Sequence, residues 1–164
     1  MSAEKPTLCA GSAGSFSVTK GSFYWHFENR ADFLQALLDY WVAVFNRRVP
    51  ETAEAGGGSA LERLRRVFEM VVENDLGIYD VAFDAWAAHE PEIAAQVKAT
   101  CRYRYQYVRS LFHELGFRGI ELETRTTAFL SFLKSESWVT GRERPASTPR
   151  RIDAGLEFFT GRGD

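Results

Sequence analysis

An all-α fold is predicted by the pattern of apolar residues, which recur at three- and four-residue spacing through one segment after another. No convincing strand pattern appears: Tyr103, Tyr105 and Tyr107 alternate with Arg102 and Arg104, but inside a longer segment of helical period. The segment boundaries carry helix punctuation, with Asn29, Ser59 and Pro91 at starts and Gly116 at a stop.

Taken in order, residues 1–17 are expected to be irregular. Pro6, Gly11, Ser12, Gly14 and Ser15 sit in a stretch without apolar period, and glycine and serine at that density disfavour helix. From Ser17 to Arg30 the chain reads as a short helix, a tight break and the start of a second helix. The Thr19 hydroxyl can accept from an otherwise unpaired backbone N–H one turn on. Gly21 removes side-chain bulk from the opening turn, so something large can approach the backbone there. Phe23 and Phe27, four apart, share one face, while Lys20, Tyr24 and His26 place donors around the rest. A helix N-terminus beside cationic and hydroxyl groups is a ready phosphate-binding surface.

Asn29 can cap a helix running to about Arg48, with Phe33, Leu34, Leu37, Leu38, Trp41, Val44 and Phe45 as its apolar stripe. Pro50 to Gly58 reads as a flexible loop and a boundary between an N-terminal head, 1–48, and a body, 59–160. Ser59-Ala60-Leu61-Glu62 is a capping box opening a helix through Leu64, Phe68, Val71, Val72 and Leu76. Its charged residues, including Arg63, Arg65 and Arg66, read as a solvated face. Gly77 interrupts the pattern, which resumes through Val81, Ala85 and Trp86. Pro91 suits the first turn of a helix through Ile93, Val97, Cys101, Val108, Leu111 and Phe112. Gly116 ends it in a glycine-based cap, with Phe117 folding back on Phe112. A helix from Ile120 to Val139 follows, and Ile152, Leu156 and Phe159 mark a short last one.

At 164 residues the chain has room for one domain with a sizeable core, or a small head on a larger body. The net charge is −2, so any nucleic-acid contact must rest on a local patch. Within residues 1–30 that patch is Lys5, Lys20 and Arg30 against Glu4 and Glu28. Cys9 and Cys101 are too isolated for a disulfide framework, and no long apolar run opens the chain. A cytoplasmic protein, without membrane span, is the expectation.

Residues 18–30 resemble the recognition helix of TetR-family transcriptional repressors. The family pattern Val-Ser/Thr-x-Gly-x-x-Tyr-x-His-Phe, with a following Lys or Arg, is matched by Val18, Thr19, Gly21, Tyr24, His26, Phe27 and Arg30. Ala85-Trp86-Ala87, Glu90-Pro91-Glu92 and the aromatic-rich helix ending Leu115-Gly116-Phe117 resemble the family's ligand-binding body more loosely. Family members carry two helices before the recognition helix, whereas only residues 1–17 precede it here. The head is therefore expected to be a shortened helix-turn-helix, with the helix after it joining head to body.

The resemblance implies a dimeric regulator released from operator DNA by a small-molecule effector, without metal or cofactor. Thr19, Lys20, Tyr24 and Arg30 would contact phosphate or sugar, Trp25 and His26 would approach bases or support the helix, and Gly21 and Ser22 complete the set of DNA-binding residues. Apolar pockets use aromatics with a few placed polar groups. The pocket candidates on that basis are Phe68, Val72, Phe83, Trp86, Tyr103, Tyr107 and Phe129. By the same analogy Leu122, Phe129, Phe132 and Leu133, with Ile152, Leu156 and Phe159, would form the seam of a homodimer. The alternative is a ligand-binding and dimerisation module without DNA activity that pairs with an intact relative.

An enzyme is disfavoured by the spacing of reactive residues. His26, His89 and His113 are far apart, and His113-Glu114 lacks the second histidine of a zinc motif. Cys9 and Cys101 are not at ligand spacing, and Gly56-Gly57-Gly58 lacks the lysine of a phosphate-binding loop.

Overall fold

The computed structural model describes residues 27–140 and 149–161, and every described element is helical. The chain forms two compact units, residues 1–35 and 36–164.

The described part of the first unit is a helix start. In α1 (Arg30–Ala43), the Asn29 side chain accepts from the Asp32 N–H at 2.9 Å, and the Asp32 carboxylate accepts from the Glu28 N–H at 3.2 Å. The first bond is an Asn N-cap, and the second ties the residue before the cap to the first turn of the helix. Phe27 closes over it, edge-on to Phe33 at 5.0 Å.

In the second unit, the helical run does not end at Pro50. It passes through a π-helical turn, Val44–Arg48, and continues as α2 (Val49–Ala55). The Val49 N–H bonds to the Val44 carbonyl, one residue further back than in an α-helix. A proline ring clashes with the carbonyl four residues before it, and the wider turn just ahead of Pro50 accommodates that conflict without ending the helix. Val49 and Pro50 are buried, so tertiary packing holds a segment that local signals mark as a break. The remaining loop is short and tied down. Arg66 donates from Nε to the Ala53 carbonyl at 2.8 Å and from Nη2 to the Gly57 carbonyl.

The body consists of α3 (Ala60–Glu73), α4 (Gly77–Ala87), α5 (Pro91–Glu114), α6 (Gly119–Thr140) and α7 (Pro149–Thr160). Ser59 and Glu62 form the capping box of α3 from both sides. At the end of α5, the Phe117 N–H reaches the Phe112 carbonyl and the Gly116 N–H reaches the His113 carbonyl. Gly116 has φ 101°, and Phe117 lies 5.9 Å from the Phe112 ring. Those bonds and that contact define a Schellman cap.

The helix α4 packs on α5 and α6, α5 on α6, α3 on α2 and α5, and α7 on α3 and α6. Phe129 is the centre of the core, edge-on to Phe68 and Phe112 at 5.7 Å each and to Phe159 at 5.3 Å. Gly77 is a close-approach residue and more than a pause in the sequence pattern. A Cβ there would lie 2.6 Å from the Leu133 carbonyl oxygen and 2.9 Å from that of Lys134, so α4 meets the α6 backbone directly. The arginines of α3 are not a solvated face. Arg63 pairs with Glu54 and Glu114, and Arg65 pairs with Asp153 at 2.6 Å, clipping α3 to α2, α5 and α7.

Candidate ligand cavity

A cavity of about 220 Å³ opens among the π-turn, α2, α3, α5 and α6. Its lining is mainly apolar, with Phe45 and Val49 from the first run, Val67 and Val71 from α3, Val108 from α5 and Leu130 from α6. Charge enters through Asp80, Arg104 and Lys134, and hydroxyls through Tyr105, Tyr107, Thr127 and Ser131.

Asp80 and Arg104 form the most enclosed ion pair among the described residues, with side chains 3% and 14% exposed. Arg104 Nη1 donates to one Asp80 oxygen at 2.7 Å, and the Trp41 indole N–H donates to the other at 3.0 Å. Both carboxylate oxygens are thereby engaged. The guanidinium lies over the Phe45 ring at 4.2 Å and nearer the edge of cation–π range from Trp41, at 5.7 Å. Burial opposes the charge on Arg104, and attraction and hydrogen bonding to Asp80 more than offset it, so its pKa is raised. Its second terminal nitrogen donates, among the described residues, to Cys101 Sγ at 3.4 Å.

The rim is built from further polar pairs. Lys134 pairs with Asp84 of α4. Tyr105 donates to Glu123, which also accepts from Arg109 Nε at 2.9 Å. Those bonds hold the Glu123 carboxyl below its ordinary pKa and raise the Tyr105 phenol above its own. Tyr107 donates to Glu54 at 2.8 Å, and burial first, then that bond, raises its pKa well above the ordinary tyrosine value.

Of the pocket candidates named from the sequence, Tyr107 lies on the cavity wall. Phe68, Val72 and Phe129 are buried in the core. Phe83 is buried against Trp41 at 4.8 Å and stacks on half-buried Trp86 at 6.1 Å, and Tyr103 is exposed. Among the proposed DNA contacts, Thr19, Lys20, Gly21, Ser22, Tyr24, Trp25 and His26 lie outside the described residues, while Arg30 is exposed at the first position of α1. The proposed dimer residues Leu122, Phe129, Leu133, Ile152, Leu156 and Phe159 are buried within the single chain, and Phe132 is partly buried against them. Among the described side chains of α6 and α7, the large apolar ones left exposed are Ile120, Val139 and Phe158.

Sequence reasoning missed Asp80, Arg104 and Lys134. A signal existed for Arg104, because it falls on the apolar stripe of α5 between Cys101 and Val108. A charge on a buried stripe requires a partner. Asp80 likewise lies between Gly77 and Phe83 on the buried side of α4.

Among the described residues, no group of His, Cys, Asp and Glu side chains is placed to hold a metal ion, and no helix is long and apolar enough to cross a membrane. No protein-family model, curated protein or solved structure matches the chain.

Proposed function

We propose that this protein is a TetR-like transcriptional regulator, a homodimer that binds operator DNA and releases it when a small molecule fills the cavity. The observation that carries the reading is the order of parts along one chain. The motif Val18 to Arg30 is followed directly by the helical run whose later residues, Phe45, Val49 and Pro50, wall the cavity. An apolar cavity with a few placed polar groups suits a small organic ligand. A ligand favouring one arrangement of that run would shift the population of DNA-competent dimers, with no further chemistry required. Because the expected seam residues are already covered within the chain, pairing through α6 and α7 would draw on exposed Ile120 and Phe158.

The test is fluorescence anisotropy of the full chain against DNA from its own upstream region, at two salt concentrations. Sequence-dependent binding that weakens with salt supports the regulator, since each phosphate contact releases counterions. Lys20→Ala should then weaken binding across sequences and flatten its salt dependence. A folded dimer without specific binding would instead assign the chain to ligand binding alone. The small cationic excess of residues 1–30, with Lys5, Lys20 and Arg30 against Glu4 and Glu28, is what favours that second reading.

A further inference from the structure

We infer that the cavity takes a small aromatic carboxylate, a single ring bearing one acid group, with Lys134 as the anchor for its charge. This rests on the ligand-binding half of the proposed function and narrows it to a chemical class.

Size sets the first limit. An apolar cavity of about 150 Å³ is enough to hold benzene. The cavity here measures about 220 Å³, which leaves space for one ring and a small substituent. Phe45, Tyr105 and Tyr107 among its walls favour a flat aromatic guest over a branched aliphatic one.

Charge sets the second. Among the lining residues Arg104 and Lys134 stand against Asp80, and the rim carboxylates Asp84, Glu123 and Glu54 are each already held by a donor from the lining. Asp80 has no carboxylate oxygen without a donor, because Trp41 takes one and Arg104 the other. A cationic guest would meet two cations and a carboxylate already engaged. An anionic guest meets the reverse, and the question becomes which cation can change partner.

Arg104 cannot do so cheaply. Taking it from Asp80, whose side chain is 3% exposed, would strand a buried carboxylate. Lys134 can. Its partner Asp84 is 42% exposed, so water can solvate that carboxylate when a ligand carboxylate replaces it. Arg104 adds a favourable field and a terminal nitrogen whose present acceptor is the weakly accepting sulfur of Cys101. The backbone at Lys134 is also well placed, because it rests against Gly77 with no side chain between.

The experiment is calorimetric titration of the full-length chain with benzoate, benzamide and benzylamine, which share a ring and differ in charge. Hydrogen bonds to charged groups contribute enough that benzoate should bind roughly ten- to a hundredfold more tightly than benzamide. Benzylamine should bind more weakly than either. Lys134→Met, shown to be folded by far-ultraviolet circular dichroism, should lose the preference for benzoate over benzamide, and Lys134→Arg should restore it. If benzamide binds as tightly as benzoate, or benzylamine binds best, the carboxylate inference is overturned while the cavity remains a ligand site. An acid preference surviving in Lys134→Met overturns Lys134 as the anchor. Failure of all three probes to bind overturns this inference.

Discussion

Asp80→Asn tests the energetic basis of the candidate site. The amide keeps the volume of the carboxylate and can present an oxygen to the Trp41 indole, so the substitution mainly removes charge. Arg104 cannot compensate by losing its proton, because a guanidinium stays charged in proteins. Burial already works against that charge, and Asp80 is what offsets it. Removing one member of a buried pair costs about 3–5 kcal/mol. Solvent screening reduces this little, given exposures of 3% and 14%. Small domains have only about 5–15 kcal/mol of stability in total, so the loss is a large share of it. At about 2–4 °C per kcal/mol for a chain of this size, Tm should fall by about 6–20 °C. Urea and thermal unfolding followed by far-ultraviolet circular dichroism would measure both quantities. The double variant Asp80→Leu with Arg104→Met should recover most of the loss, since apolar replacement of a whole buried pair is often neutral or stabilising. Loss of less than about 1 kcal/mol in Asp80→Asn would refute the reasoning, because a broken buried pair costs several times that. So would a double variant less stable than the sum of the two single changes predicts.

Gly77→Ala should destabilise the protein by about 1–3 kcal/mol in the same unfolding assay, because the methyl group would press on the Leu133 and Lys134 carbonyls and force α4 off α6. Ser59→Ala should cost about 1 kcal/mol through loss of the α3 cap. The hydrogen bonds from Ser59 hold the Glu62 carboxyl below its ordinary pKa, so its capping contribution is present above the unfolded pKa and lost as pH falls through the depressed folded value. Stability measured against acid pH should therefore fall less steeply in Glu62→Gln. Tyr107 has the opposite sign: its neutral phenol is favoured by burial and by Glu54, so its contribution is complete below the ordinary tyrosine pKa and lost as pH rises through the raised folded value. Ultraviolet titration should show that Tyr107→Phe removes a tyrosine that ionises above the ordinary tyrosine range.

Helix starts and stops were legible because local chemistry sets them. Ser59 with Glu62, Pro91 at the first turn of α5, and the Gly116–Phe117 cap each follow from bonds made within a few residues of the signal. Pro50 was misleading for the converse reason. Its cost in a helix is a local quantity of about 3 kcal/mol, whereas the burial of Val49 and Pro50 and the wider turn before them are tertiary facts. The α3 arginines were misjudged in the same way. A helical wheel places them opposite the core stripe, but Glu54, Glu114 and Asp153 approach from three other elements.

The cavity escaped a choice made by residue type. Phe68 and Phe129 have the aromatic character expected of a pocket wall, yet they meet edge-on at 5.7 Å within the core. Gly155 completes the enclosure of Phe68, since a Cβ there would come within 2.5 Å of the ring. A cavity persists where side chains cannot close the gap, and polar groups that need their own partners resist such closure. Arg104 occupies the apolar stripe of α5 but is held toward Asp80 and the Phe45 ring. Lys134 is drawn toward Asp84 of α4. Arg104, a charge that interrupts an apolar periodicity, was thus a better guide to the cavity than Phe68 or Phe129. Arg104 could have been found that way, because the stripe it breaks is visible in the sequence. Lys134 could not, because nothing along α6 indicates that Gly77 will bring α4, and Asp84 with it, against that turn.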